Sequence, residues 1–504
     1  MRAWLAGLVL ILAGCAHRGE VSGVRSFDLA PEEETLAEAL AGYGRGLLEA
    51  GDEEAPDPGA RAWFERAAAA APDAHRVQSR LALQALLAGE TDEAVDILER
   101  SVEKNPDLLV ARVDLARAYH AAERAEDCIR EYRAAIRLAP TNTALYAATA
   151  RLQFLSERDD EALRTIARGL ARADQPTYLE ELCRNQGREF IVSSQPRRAI
   201  PCFEFLLEHA PDRFQHYDYL LGELYRQSGD MKTAQRYYRQ ATRREDPLPE
   251  AFVKLAGLLG AEDPEAAIAA LERGAELLPE NAVIRLTLAY FYRYRARHAD
   301  AVEQYAVVDE LAEERPDINL QATFFLNYGS ACEQAGRHER AVEIFERGIA
   351  EYPRDAQLLN YLAYMWAEGG ENLERAERYI AVALEEEPEN GAYLDTLGWI
   401  YYRQGRYEEA LRELLRAAQR MPGDPTITAH VGDAYFARGN VERAVKYWTE
   451  SFLLDPAAAD VAAKLREQKA DLKALRKRAR AERERRKAEK ATREAAPEDD
   501  SEEE

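Results

Sequence analysis

Eight histidines are the first candidates for chemistry in this 504-residue chain. They stand at His17, His75, His120, His209, His216, His298, His338 and His430. No two are spaced as His-Glu-x-x-His, so a helical metalloprotease zinc site lacks its ligands. There is no Gly-x-x-x-x-Gly-Lys-Ser/Thr loop to cradle a phosphate, and no Gly-x-Ser-x-Gly turn to raise a serine nucleophile. Paired carboxylates abound, but their spacing sets them on exposed helix faces, where solvation and ion pairing account for them. The expectation is a protein that is not an enzyme and holds neither metal nor cofactor.

One cysteine invites a different chemistry. Met1-Arg2 carries one positive charge, and Ala3 to Ala13 is apolar apart from Gly7, too short to span a bilayer stably. The sequence Leu12-Ala13-Gly14-Cys15 that follows resembles the bacterial lipoprotein signal. That resemblance implies cleavage before Cys15, a thioether from its thiol to diacylglycerol, and acylation of the freed amine. Several acyl chains, at ~0.8 kcal/mol per buried methylene, hold a protein on a membrane far better than one. Ala16 follows the cysteine where an Asp commonly retains such proteins in the inner membrane, so the implied location is the periplasmic face of the outer membrane. Residues 1–14 then form a signal peptide and 15–34 a linker.

The elements that position everything else announce themselves by composition and period. Apolar residues make up 47% and charged residues 31%, which suits a soluble helical protein rather than a disordered or multi-span one. A net charge of -24 argues against nucleic-acid binding, which needs a basic face. Leu397-Gly398, Tyr401, Gly405, Ala410, Leu414, Ala417 and Pro422 recur one period later as Val431-Gly432, Tyr435, Gly439, Ala444, Trp448, Ser451 and Pro456. Leu115-Ala116, Tyr119, Cys128, Tyr132, Ala135 and Pro140 repeat the pattern upstream, as do Leu221-Gly222, Tyr225, Gly229, Ala234, Tyr238 and Ala241. Degenerate copies fill the remainder, beginning with a loop-expanded unit over Leu36 to Pro72.

This period and pattern resemble the tetratricopeptide repeat, a helix-turn-helix unit. The resemblance implies an all-α, right-handed superhelical solenoid of about twelve repeats over residues 35–456. A capping and charged helix follows over 457–496, then an acidic disordered tail over 497–504. Small residues such as Gly398 and Ala410 are expected to face each other where the two helices of a unit meet. Gly405, Gly439 and Gly229 are expected to end first helices with positive φ. Cys128 and Cys332 fall where a small buried residue is wanted. Cys183 and Cys202 lie on the two helices of one repeat, so a disulfide and reduced core packing both remain open.

In proteins this chain resembles, ligands are contacted from the first helix of each repeat. Projected here, the groove residues are Tyr219, Arg226, Tyr290, Arg293, Tyr294, Tyr364, Trp399, Tyr402, Arg403 and Phe436. Aromatics and arginine are the residue types that interaction hot spots use. The best-patterned units, from Ala322 to Pro456, set Trp399, Tyr402, Arg403 and Phe436 on adjacent first helices, where they are expected to converge on one ligand. The implied function is a scaffold lipoprotein recruiting envelope proteins through its groove. A narrower version is an assembly factor for a secretion, pilus or polysaccharide-export machine; a different one binds glycan or peptidoglycan directly. Oligomeric state is left open.

Overall fold

A computed structural model describes residues 31–50, 56–214 and 216–494; among them every regular element is a helix. The expected signal peptide, Cys15, the expected linker up to residue 30 and the residues from 495 onward lie outside the described residues. Two compact units divide the chain, Met1–Ala251 and Phe252–Glu504.

In the first unit, helices pair in chain order. α1 (Pro31–Ala50) packs on α2 (Pro58–Ala70), α3 (His75–Leu87) on α4 (Thr91–Lys104), and α5 (Leu109–Ala121) on α6 (Ala125–Leu138). α7 (Thr143–Leu155) follows with α8 (Asp159–Leu170), α9 (Pro176–Val192) with α10 (Pro196–His209), and α11 (Tyr217–Gln227) with α12 (Met231–Ala241). α13 (Pro249–Leu259) starts just before the division; in the second unit its Phe252 ring lies against Gly274 of α14 (Pro264–Leu277). Then come α15 (Ala282–Tyr294) on α16 (His298–Glu314), α17 (Ala322–Gln334) on α18 (His338–Glu351), and α19 (Ala356–Gly369) on α20 (Leu373–Glu386). α21 (Gly391–Arg403) on α22 (Tyr407–Arg420) and α23 (Pro425–Ala437) on α24 (Val441–Leu454) complete twelve pairs among the described residues. First helices also touch the next first helix: α3 on α5 and α7 on α9 in one unit, α17 on α19, α19 on α21 and α21 on α23 in the other. They therefore form one face of each stack.

A short sequence rule sets the junctions. Pro-x-Asx recurs as Pro140-Thr141-Asn142, Pro279-Glu280-Asn281, Pro353-Arg354-Asp355, Pro388-Glu389-Asn390 and Pro422-Gly423-Asp424. The proline follows the second helix, which it cannot extend. The Asx carboxyl or amide oxygen then accepts a backbone N–H in the first turn of the next helix, at 3.0, 3.0, 2.9, 3.0 and 2.9 Å respectively. These are N-caps, each satisfying a donor the helix cannot.

Within pairs, glycine admits an aromatic ring. A Cβ at Gly222, Gly329 or Gly432 would sit 2.6, 2.6 or 2.5 Å from a ring carbon of Tyr238, Phe345 or Trp448. Gly398 departs from the expected facing with Ala410. Its nearest neighbour is Leu414, one turn further along, at 2.7 Å from the place a Cβ would take, while Ala410 is fully buried. The helices cross so that the small residue of one receives the bulky residue of the other.

Turns follow the expected glycine rule where glycine is present: Gly229, Gly405 and Gly439 have φ of 87°, 79° and 80°. Behind Gly405, the N–H of Arg406 reaches the carbonyl of Tyr401 at 2.9 Å. In degenerate copies Glu123, Glu157, Ser194 and Ala296 hold the same left-handed place, at φ of 57°, 57°, 58° and 55°.

The expected single carboxyl-terminal helix is two helices. α25 (Ala459–Glu467) ends at a left-handed Lys469, with the Ala470 N–H on the Leu465 carbonyl at 3.0 Å. Asp471 then caps α26 (Leu472–Glu494), accepting from Lys473 and Ala474 at 3.0 and 3.1 Å. Val461, Leu465 and Ala479 are buried and Arg476 lies over Phe452 of α24, so the apolar stripe continues across the break.

Candidate functional site

The residues directly after the small landmarks of the first helices form one row of the repeat alignment. In the second unit that row includes Tyr290, Tyr364 and Trp399, after Ala289, Ala363 and Gly398. Its members do not share one environment. Trp399 stacks on Tyr402 at 4.6 Å with rings 5° from parallel, and on His430 of the next first helix at 4.1 Å and 13°. It is therefore a wedge between repeats, half-buried, with its indole Nε1 unpaired. Tyr364 is half-buried too, and burial holds its phenol well above the usual range. Arg403 donates to the Glu368 carbonyl at 2.6 Å, fastening α21 to the end of α19. Phe436 is exposed beside Trp448, ring centroids 5.3 Å apart. The four residues expected to converge on a ligand are thus mostly engaged with each other and with adjacent helices.

α15 differs. Tyr290 is 60% and Tyr294 68% exposed, and Val283 lies on the same helical face, also exposed. Arg293, on the same helix, donates to Asn327 of α17 at 2.5 Å. Val283, Tyr290 and Tyr294 are thus left open along one side of α15, with Thr287 between the first two. In the first unit, Tyr219 is half-buried against Tyr238 at 5.9 Å, and Arg226 pairs with Glu223 at 2.8 Å.

Three functional candidates escaped the sequence reading. The first is an arginine row. Arg117, Arg151 and Arg188 follow the landmarks Ala116, Ala150 and Gly187 in three consecutive repeats, and all three are exposed. Burial first, and then the charges of Arg188 and Arg184, lower the basicity of nearby His216. Reading down that column of the alignment would have found it.

The second is a pair of polar clamps between repeats, one buried and one partly so. His430 Nδ1 lies 2.9 Å from Asp395, and Ser79 donates to Asp114 at 2.5 Å, both across 35 residues. Burial disfavours a charged His430, but Asp395, with Asp433 and Glu368, outweighs it and raises the imidazole pKa. His75 joins Ser101 at 2.9 Å to Asp114 at 3.3 Å, a Ser-His-Asp sequence of contacts. Ser101 is only 2% exposed, so no substrate carbonyl reaches its hydroxyl, and the trio is a structural link.

The third is a cleft of about 620 Å³ along the helix turns of the first unit, lined by Glu157, Asp159, Ser194, Arg197, Arg198 and Ser228 among others. Arg198 is held there by both oxygens of Asp159, at 2.8 and 2.8 Å. Leu155 and Val192, each two residues before a turn, stand 76% and 86% exposed. Cys128 and Cys332 are buried, and burial pushes both thiols up to about 11. Among the described residues no cluster of three or more His, Cys, Asp or Glu is placed to hold a metal, and no helix is long and apolar enough to cross a membrane.

Family models described as tetratricopeptide repeat match residues 58–108, 85–134, 219–250, 322–365 and 391–424. A TPR repeat-containing protein of Pseudomonas aeruginosa is 28% identical over 195 residues, 37% of this chain and 31% of that protein. Another, of Bacillus subtilis, is 26% identical over 113 residues, 22% of this chain and 26% of that protein. The chain thus aligns with less than a third of either relative's length. Among solved structures, PilW, a type IV pilus biogenesis factor, is similar at 20% identity over 44% of this chain and 99% of its own, with a TM-score of 0.37. The APC/C hetero-tetramer Cut9–Hcn1 is similar at 13% identity over 87% and 96%, also with a TM-score of 0.37.

Proposed function

We propose that this chain, which is a tetratricopeptide repeat protein, is a non-catalytic scaffold, lipid-anchored in the bacterial cell envelope, that gathers partner proteins on its first-helix face. The observation that carries this reading is the open stripe of Val283, Tyr290 and Tyr294 on α15. Tyrosines present large contact area at low entropic cost and keep a hydroxyl for hydrogen bonding, so their exposure on an inner layer favours a docking role. The Arg117, Arg151 and Arg188 row adds a second chemistry, attraction for an acidic stretch of polypeptide in a chain that otherwise repels anions. Support for the anchor comes from Leu12-Ala13-Gly14-Cys15. The narrower role, an assembly factor for an export or pilus machine, differs only in which protein is bound.

Affinity capture from envelope extracts tests the reading. Replacing Tyr290 and Tyr294 by Ala is expected to weaken capture of the main partner about thirtyfold, the effect of losing ~2 kcal/mol of hot-spot energy, with melting unchanged. Undiminished capture would exclude the stripe, and retention on purified sacculi instead of protein would favour glycan binding. For the anchor, wild type is expected to partition with membranes and Cys15→Ala to remain uncleaved or soluble. A Cys15→Ala protein still found in the outer-membrane fraction would defeat the lipoprotein reading.

A further inference from the structure

The repeat made by α9 and α10 brings two thiols together. Cys183 and Cys202 are both fully buried, and the Cys183 sulfur lies 3.5 Å from the Cys202 carbonyl oxygen. The helices approach closely there. Gly187, one turn after Cys183, has no Cβ, and one built on it would fall 3.2 Å from the Cβ of Cys202. Gly187 thus stands opposite Cys202 with Cys183 one turn away, the Cys183 sulfur already on the Cys202 backbone; a disulfide needs the two cysteine Cβ atoms about 4 Å apart. All four described cysteines stand as free, buried thiols in the structure, Cys128 and Cys332 in other repeats.

The same repeat carries two local weaknesses. Pro201 stands inside α10 and has no N–H to give the Arg197 carbonyl, so one rung of the helix is missing beside Cys202. Its turn is closed by Ser194 in the left-handed region, at φ 58°, in place of glycine. A covalent bond spanning this turn offsets both defects by restricting the unfolded hairpin.

We propose that Cys183 and Cys202 are joined by a disulfide in the mature protein. The bond forms by thiol–disulfide exchange while the hairpin is still open, because both sulfurs are inaccessible afterwards. One thiolate attacks an incoming disulfide, of an oxidoreductase or of oxidised glutathione, and the second thiolate displaces the resulting mixed disulfide. Two protons leave the cysteines, and the oxidant departs as two thiols carrying the two electrons. That this happens in the cell rests on the export reading, since reducing compartments keep such thiols apart.

Trypsin separates the two residues, into peptides 173–184 and 199–213. The full chain is unfolded with reductant, refolded in glutathione disulfide, then alkylated in denaturant and digested. A parallel sample is taken from the envelope fraction of expressing cells and alkylated at once. The expected result is one linked peptide pair, lighter by two hydrogens than the sum, in both samples. It is accompanied by a fall in melting temperature on reduction that Cys183→Ala does not show. A link in the refolded sample alone would uphold the pairing and defeat the export reading. Separately alkylated peptides in both samples, or a link to Cys128 or Cys332, would overturn the proposal.

Discussion

Truncating Trp399 distinguishes a ligand-facing aromatic from a packing one. Its ring lies between Tyr402 and His430, at 4.6 and 4.1 Å. A fully buried tryptophan cut to alanine costs ~3–5 kcal/mol, and each aromatic stack contributes about 0.5–1.5 kcal/mol of that. Trp399 is half-buried, so Trp399→Ala is expected to lose about 2–3 kcal/mol from the second unit. With an m-value of about 3 kcal/mol per molar urea, the midpoint of that unit falls by roughly 0.7–1 M. Urea unfolding followed by far-UV circular dichroism reads this directly. Tyr290→Ala is the control, since exposed side chains away from special features change stability by only ~0.5 kcal/mol. If Trp399→Ala unfolds with wild type while partner capture collapses, the ring serves a ligand and the wedge account is wrong. If Tyr290→Ala proves the more destabilising, the assignment of open and closed aromatics is inverted.

Ala410→Leu is expected to cost about 1–3 kcal/mol by overpacking a fully buried site, whereas exposed Glu408→Ala changes little; equal thermal melts would place the repeat register in error. Ala296→Gly should stabilise by up to about 1 kcal/mol, relieving a left-handed alanine, and Gly405→Ala should lose a similar amount, both measured by urea midpoints. The His430–Asp395 clamp gives a pH signature. The folded imidazole pKa is raised, so its stabilisation is complete below the unfolded value near 6.5 and fades as pH rises through the folded value. The cost of Asp395→Asn is therefore larger at about pH 5.5 than at about pH 9, and a pH-independent difference would refute a charged clamp.

The fold was legible because its determinants are local and repeated. Glycine at Gly405, proline at Pro422 and an acceptor at Asp424 each act within a few residues of their own position. The site was less legible because exposure is decided a repeat away. Tyr290 and Trp399 hold the same place in their helices, yet one is open and the other covered. His430 supplies an aromatic face for Trp399, while Asn327, in the first helix of the repeat after Tyr290, is bonded to Arg293. No pattern within one repeat reveals that difference. The break between α25 and α26 escaped for a related reason: leucines at Leu465, Leu472 and Leu475 keep an apolar stripe across a turn set by Lys469.

The Pro-x-Asx junctions also bear on how such an array changes length over evolutionary time. Each one stops a helix and starts the next: the Asx N–H closes on the carbonyl just before the proline, and its side chain caps the new helix, so the whole device lies within a few residues. Excising residues 391–424 would join Asn390 to Pro425, leaving a cap followed at once by proline in the first helical place, where proline is well tolerated. Duplication or loss of a whole period at these seams therefore leaves no frayed helix end. Only the cross-repeat contacts, such as Trp399 on His430, are lost or must be remade. Selection can then lengthen, shorten or shuffle the array by recombination at its prolines, and the covered or uncovered state of each inner aromatic becomes the record of which neighbour it last acquired.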